Sequence, residues 1–283
     1  FVSRWPQFKS LMRLDRPVGT YLLLWPTLWG LWLAAEGMPK FDVLVIFIAG
    51  VYLMRAAGCV INDYADRKVD GHVERTKQRP LATGMVTPKE ALKLFFSLCV
   101  LAFILVLLTN TYTIGLSCVA LVLATSYPFM KRYTHWPQAV LGAAFAMAIP
   151  MGFAAQTQAT GLTAWLTFAA AISMTIAYDT YYAMVDRDDD IKIGIKSTAV
   201  LFGSWDLSII AVFQCLCVGL LWTVGQINHL GGAFYLGLSV MAGLFIYQQW
   251  LGRSRMSENY FKAFINSHWA ALSVWLGLLI DYS

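Results

Sequence analysis

Nine stretches of mostly apolar residues follow one another along this chain, and few folds can hold them. They run about 17–35, 42–62, 89–109, 111–129, 137–156, 162–185, 205–225, 232–251 and 264–281. Each is near the roughly 20 residues that carry a helix across a bilayer. Lipid offers no partner for a backbone N–H or C=O, so such segments must bond internally as helices. Charged residues make up 13% of the 283, against about 25% in a typical soluble domain. The mean hydropathy of +0.59 points the same way. The expected fold is an all-α integral membrane protein, a single domain over residues 1–283 with about nine transmembrane helices.

The basic residues orient it. With the N-terminus cytoplasmic, every Lys and Arg except Lys40 and Arg55 falls in a cytoplasmic segment or an adjoining helix end. So strong a skew is the signature of a positive cytoplasmic side. The location implied is the inner (cytoplasmic) membrane of a bacterium. Two long connections on that side, about 63–88 and 186–204, are expected to fold together as a cytoplasmic cap. The first sixteen residues are polar and basic and do not read as a cleavable signal. The five cysteines lie inside apolar runs without a Cys-x-x-Cys pair, so they read as small buried residues. Pro26, Pro128 and Pro150 mark places for a kink or a wider cavity. Nothing marks a nucleic-acid surface or a protein-docking segment.

The polar exceptions are patterned. Asn62, Asp66 and Asp70 stand at i, i+4 and i+8 where the second apolar run ends, and Tyr182, Asp186 and Asp190 repeat the spacing at the end of the sixth. On a continuous helix each trio shares one face. The repetition suggests two four-helix units with a ninth helix added. Carboxylates at membrane depth are costly and usually functional. Crowded together they repel, unless a hard cation accepts their oxygens. Mg²⁺ suits the set Asn62, Asp66, Asp70, Asp186 and Asp190, because it takes a few carboxylates together with substrate phosphate oxygens. Arg67, Arg75, Lys77, Arg79, Lys131, Arg132, Arg187, Lys192 and Lys196 surround these acids in sequence. Interleaved acids and bases point to a Mg²⁺-bridged diphosphate. No Walker-type glycine loop accompanies them, which argues against a nucleoside triphosphate. A diphosphate site at the mouth of an apolar bundle calls for a lipid-like substrate.

These motifs carry a resemblance. Asn62-Asp63-x-x-Asp66-x-x-x-Asp70 and Tyr182-x-x-x-Asp186-x-x-x-Asp190, with Tyr127-Pro128-Phe129-Met130-Lys131-Arg132 between them, are similar to the UbiA superfamily of membrane prenyltransferases. The neighbouring words resemble the branch that prenylates 4-hydroxybenzoate for ubiquinone. The resemblance implies helices bundled around a central cavity. It also implies Mg²⁺-dependent transfer of a polyprenyl group from polyprenyl diphosphate to the ring carbon meta to the carboxylate, within membrane lipid. By the same resemblance Asp66, Asp70 and Asp186 are the essential acids. Arg132 would hold either the aromatic carboxylate or the diphosphate, and Asn62, Arg67, Arg79, Lys131 and Tyr182 would contact substrate. Two alternatives stay open at this point: a different aromatic acceptor, or a transporter of cations or anionic lipid using Arg55 and Asp179 as its deeper charges.

Overall fold

The computed structural model describes residues 4–72 and 76–283, so Val73, Glu74 and Arg75 lie outside the described residues. Arg75, counted above among the cytoplasmic bases, is one of them. All regular structure among the described residues is helical. A short helix α1 (Trp5–Leu11) precedes α2 (Val18–Ala35) and α3 (Phe41–Asp66). Then come α4 (Pro88–Val106), α5 (Thr111–Met130), α6 (Pro137–Ala146), α7 (Ala148–Thr157) and α8 (Leu162–Val185). Two short helices, α9 (Arg187–Ile193) and α10 (Thr198–Phe202), lead to α11 (Asp206–Ile227), α12 (Gly232–Gly252) and α13 (Ser257–Asp281).

Seven segments among the described residues are long and apolar enough to cross a membrane: Val18–Ala35, Phe41–Asp66, Thr111–Met130, Pro137–Thr157, Leu162–Val185, Thr198–Ile227 and Ser257–Asp281. The other two long helices, α4 and α12, have 19 and 21 residues. Lys89, Glu90 and Lys93 stand in the first turns of α4, and α12 carries Gln248 and Gln249 in its last turns. The outer faces are apolar, with Phe96, Val122, Val212, Leu236 and Ile246 exposed. A contiguous apolar exterior of this kind needs lipid around it. This is an integral membrane protein.

Local chemistry explains the helix boundaries. Thr87 and Glu90 form a reciprocal capping box at the start of α4, and Asn110 accepts from the Thr113 N–H at the start of α5. The expected span 137–156 is divided at Met147. Pro150, in the first turn of α7, has no N–H to offer Ala146, so the α6 ladder cannot pass through. Pro26 and Pro128, by contrast, lie inside continuous helices. Between α12 and α13 the backbones nearly touch. A Cβ on Gly277 would stand 2.6 Å from the Ala233 carbonyl oxygen, and one on Gly237 would strike that of Ser273. Small residues permit such crossings in membranes.

The reading of each acidic trio as one helical face is corrected. Helix α3 ends at Asp66, and Asp70 sits in a separate 3-10 turn, Asp70–His72. Helix α8 ends at Val185, and Asp186 breaks it with φ −104° and ψ 7°. Carboxylates at a helix C-terminus oppose the macrodipole, whereas at an N-terminus they favour it. Restarting the helix as α9 moves Asp188, Asp189 and Asp190 into a first turn.

At the heart of the bundle is a cavity of about 1260 Å³, lined by α2 to α8 and α13. Helices α11 and α12 contribute no wall to it. They pack behind α8 and α13, where buried Gln214 and Gln248 and half-buried Asn266 join in a chain of amide hydrogen bonds.

Candidate active site

A second, smaller cavity of about 130 Å³ adjoins the large one. Asn62, Arg79, Tyr127, Asp179 and Tyr182 line both, so they form the wall between them. The small cavity gathers Asn62, Asp66, Asp70, Asp186 and Asp190, the five oxygen ligands expected from spacing. It also holds Arg79, Lys131, Lys196 and Tyr182. The broken helices therefore bring both acidic stretches to one place, by turning after Asp66 and Val185 rather than by running straight.

Two of the expected contacts lie elsewhere. Arg67 donates to the Tyr64 carbonyl and stacks over the Tyr64 ring at 4.2 Å. Arg132 donates to the Ala65 carbonyl at 2.5 Å and stands 4.0 Å from Asp66 Oδ1. Neither lines either cavity. Arg187 turns away too, onto buried Asp206.

The acids of the first stretch are buried and paired. Asp63 is 1% exposed and receives both Arg13 and Arg79 at 3.0 Å. Arg79 also bonds both oxygens of Asp70 at 3.1 Å. Lys131 reaches Asp66 Oδ2. Burial pushes the Asp70 carboxyl up to about 6; Arg79 opposes this, and the charges of Asp66 and Asp63 add to it. That is the expected balance for a carboxylate short of solvent and crowded by its own kind.

A hard divalent cation fits these residues. Asp66, only 2% exposed, has a buried Oδ1 with no hydrogen bond. An orphaned carboxylate oxygen costs free energy that a cation would recover. The donors are all oxygen, as Mg²⁺ requires. Among the described residues no three Asp, Glu, His or Cys side chains already converge on one point. The ligands surround a space rather than a preformed cage, which suits an ion that keeps waters and shares phosphate oxygens.

The large cavity carries polar groups whose roles the spacing did not reveal. Arg55 lines it from within α3 and has no hydrogen bond or ion pair among the described residues. Its guanidinium fills the space a Cβ on Gly19 would need, so a larger residue there would displace the Arg55 head group. Asp179, Tyr127 and Tyr178 share the chamber with it. Arg55 stands seven residues before Asn62, and Asp179 seven before Asp186, two turns deeper on each helix. A charge inside an apolar run marks Arg55 and Asp179 as the deeper charges, without assigning them a place in a prenyl-transfer site. Arg13, bound to Asp63 from fifty residues away, and Gln138 carried no such signal.

The UbiA prenyltransferase family matches residues 23–274. The chain is 59% identical to a 4-hydroxybenzoate octaprenyltransferase of Alkalilimnicola ehrlichii, over 97% of this chain and 94% of that one. It is 58% identical to the enzyme of the same name from Chromohalobacter salexigens, over 99% and 94%. In three dimensions it resembles the apo structure of a UbiA homologue from Aeropyrum pernix K1, with a TM-score of 0.82, 25% identity, and 93% and 98% of the two chains covered. A UbiA homologue from Archaeoglobus fulgidus bound to GPP and Mg²⁺ shares the fold at a TM-score of 0.70 and 19% identity, covering 97% and 99%. With the two acidic stretches facing one cavity beside an apolar chamber, and with matches across nearly its whole length, this chain belongs to the UbiA prenyltransferase family.

Proposed function

We propose that the protein is a Mg²⁺-dependent 4-hydroxybenzoate polyprenyltransferase of ubiquinone biosynthesis. One observation carries the reading: an acidic, base-rimmed cavity shares a wall with an apolar chamber about ten times its volume. The first suits a metal diphosphate and the second a polyprenyl chain, octaprenyl in the relatives' names. Their common wall is where the allylic carbon would lie.

The allylic C–O bond breaks with its electron pair going to the diphosphate. Lys131, Lys196 and Arg79 supply positive charge to that leaving group. Mg²⁺, held when bound by Asn62, Asp66, Asp70, Asp186 and Asp190, would supply further neutralisation of the growing charge. Tyr127, Tyr178 and Tyr182 present π faces to the allylic cation. The apolar walls keep water from capturing it. The ring carbon ortho to the phenol forms the new C–C bond, and Asp179, at the shared wall, takes the displaced ring proton. The unpaired Arg55 faces the acceptor's carboxylate in the chamber. Arg132, outside both cavities, holds the end of α3 through the Ala65 carbonyl.

The nine-span count adds α4 and α12 to the seven apolar segments, on length and on their exposed apolar sides. The acidic cavity, Arg13, Arg16 and Lys77 belong to the end we assign to the cytoplasm, in an inner membrane. Residues 67–72, 76–87 and 186–205 form the cap over it, the last segment tied to the end of α5 by the Lys196 N–H donating to the Lys131 carbonyl at 3.0 Å. The test is transfer of labelled 4-hydroxybenzoate onto prenyl diphosphates of graded length, with and without EDTA. Product only without EDTA is expected; no product at any chain length with Mg²⁺ overturns the reading.

A further inference from the structure

The side chain of Gln138 is a buried donor whose direction the structure fixes. It is 4% exposed and lines the small acidic cavity from the first turn of α6. Its Oε1 accepts from the Thr198 N–H at 3.1 Å. A backbone N–H can be met only by the carbonyl end of an amide, so the NH₂ end is directed away from Thr198. Thr198 itself is 0% exposed and bonds Thr180 on α8 at 2.7 Å, so the anchor is rigid. No acceptor among the described residues meets Nε2. Nε2 is also not among the fully enclosed atoms left without a partner, so it keeps accessible surface in the cavity that Gln138 lines, open to an acceptor that arrives with a ligand.

The neighbours say what kind of partner. Lys131 is engaged by Asp66, Arg79 by Asp63 and Asp70, and Lys196 by the Tyr133 carbonyl. The cations of the cavity thus arrive already committed to acceptors. Gln138 offers a neutral donor that no carboxylate contests and that does not repel a divalent cation. The N-terminus of α6, where Pro137 also lines the cavity, adds its partial positive charge at the same spot.

We propose that Gln138 Nε2 donates a hydrogen bond to the diphosphate of the prenyl donor, with Thr198 setting the amide's orientation. This rests on the diphosphate reading above. The role is a direct contact to the leaving group, beyond the carboxylates and bases of the acidic motifs.

Two substitutions isolate it. Gln138→Glu keeps the acceptor for Thr198 and removes the donor. Gln138→Met adds no charge and removes both. Loss of the donor is the one change they share. The readouts are binding of inorganic diphosphate with Mg²⁺ to the purified protein, KM for 4-hydroxybenzoate, and Tm. Both variants are expected to weaken diphosphate binding roughly tenfold or more, with KM for 4-hydroxybenzoate unchanged and the Glu variant melting as wild type does. Wild-type diphosphate affinity in either variant overturns the assignment, as does equal loss of both ligands alongside a fallen Tm. If Gln138→Met fails to fold, the Glu variant's diphosphate affinity decides alone. Wild-type protein that does not bind diphosphate overturns the functional reading and this inference together.

Discussion

At the residue scale, polar groups set inside or at the ends of apolar helices mark the functional side chains. Arg55 is a guanidinium in a membrane helix with no hydrogen bond or ion pair among the described residues, and such a charge needs a counter-ion when the chamber fills. Arg55→Gln should raise KM for 4-hydroxybenzoate roughly 10- to 100-fold, the worth of a bond to a charged group. Diphosphate binding should be unaffected, and steady-state kinetics with each substrate varied in turn would show the split. Asp66→Ala and Asp186→Ala should each lower kcat by about 100-fold or more, with normal membrane insertion. Unchanged turnover in both would remove the metal role from these acids.

Asp70 gives a pH test. Its carboxyl is pushed up to about 6 from 3.8, so the folded protein holds that proton more tightly than the unfolded chain does. The stabilising contribution is complete below the unfolded value and is lost as pH rises through the folded one. A divalent cation relieves the same repulsion and competes with the proton. Mg²⁺ should therefore raise Tm more at about pH 7.5 than at about pH 5. Equal shifts at the two pH values would contradict this.

At the scale of elements, the break between α8 and α9 does more than end a helix. It aims Asp186 and Asp190 at the small cavity while Arg187 points to the opposite side. There Asp206, 0% exposed at the start of α11, takes Arg187, takes Arg255 at 2.6 and 2.8 Å, and accepts from the Leu207 N–H. One carboxylate thus joins the α8–α9 junction, α11 and the turn before α13. Asp206→Ala leaves two guanidinium groups without their partner, at a cost on the order of 3 kcal/mol. Thermal melting in detergent should show a clear fall in Tm, with a larger loss in Mg²⁺ affinity than surface substitutions cause. Asp206→Asn, which keeps a carbonyl acceptor, should lose less.

At the scale of the whole molecule, the arrangement separates two solvents. Charge gathers at one end, an apolar chamber occupies the middle, and apolar side chains cover the outside. With the five cysteines replaced, single cysteines at Arg253 and at Lys40 should lie on opposite sides of the membrane. In intact cells a membrane-impermeant thiol reagent should label the Lys40→Cys variant and spare the Arg253→Cys variant. Labelling of both from outside would contradict the orientation read from the basic residues.

The sequence by itself determined the solvent, the helical class and the chemistry of the acidic stretches. Those properties depend on what kind of residue stands at what local spacing. Apolar runs long enough to span, and acids four apart at their ends, are visible without knowing any contact. The tertiary structure decided which side chains of that neighbourhood face the cavity. Spacing could not show that Arg67 and Arg132 turn to nearby carbonyls, or that Arg187 belongs to Asp206. Nor could it show that both acidic helices end early and fold back. Arg13 meets Asp63 across fifty positions, and Gln138 meets Thr198 across sixty. Pairings of that range follow from how helices pack, because a long polar side chain takes the partner that burial brings within reach.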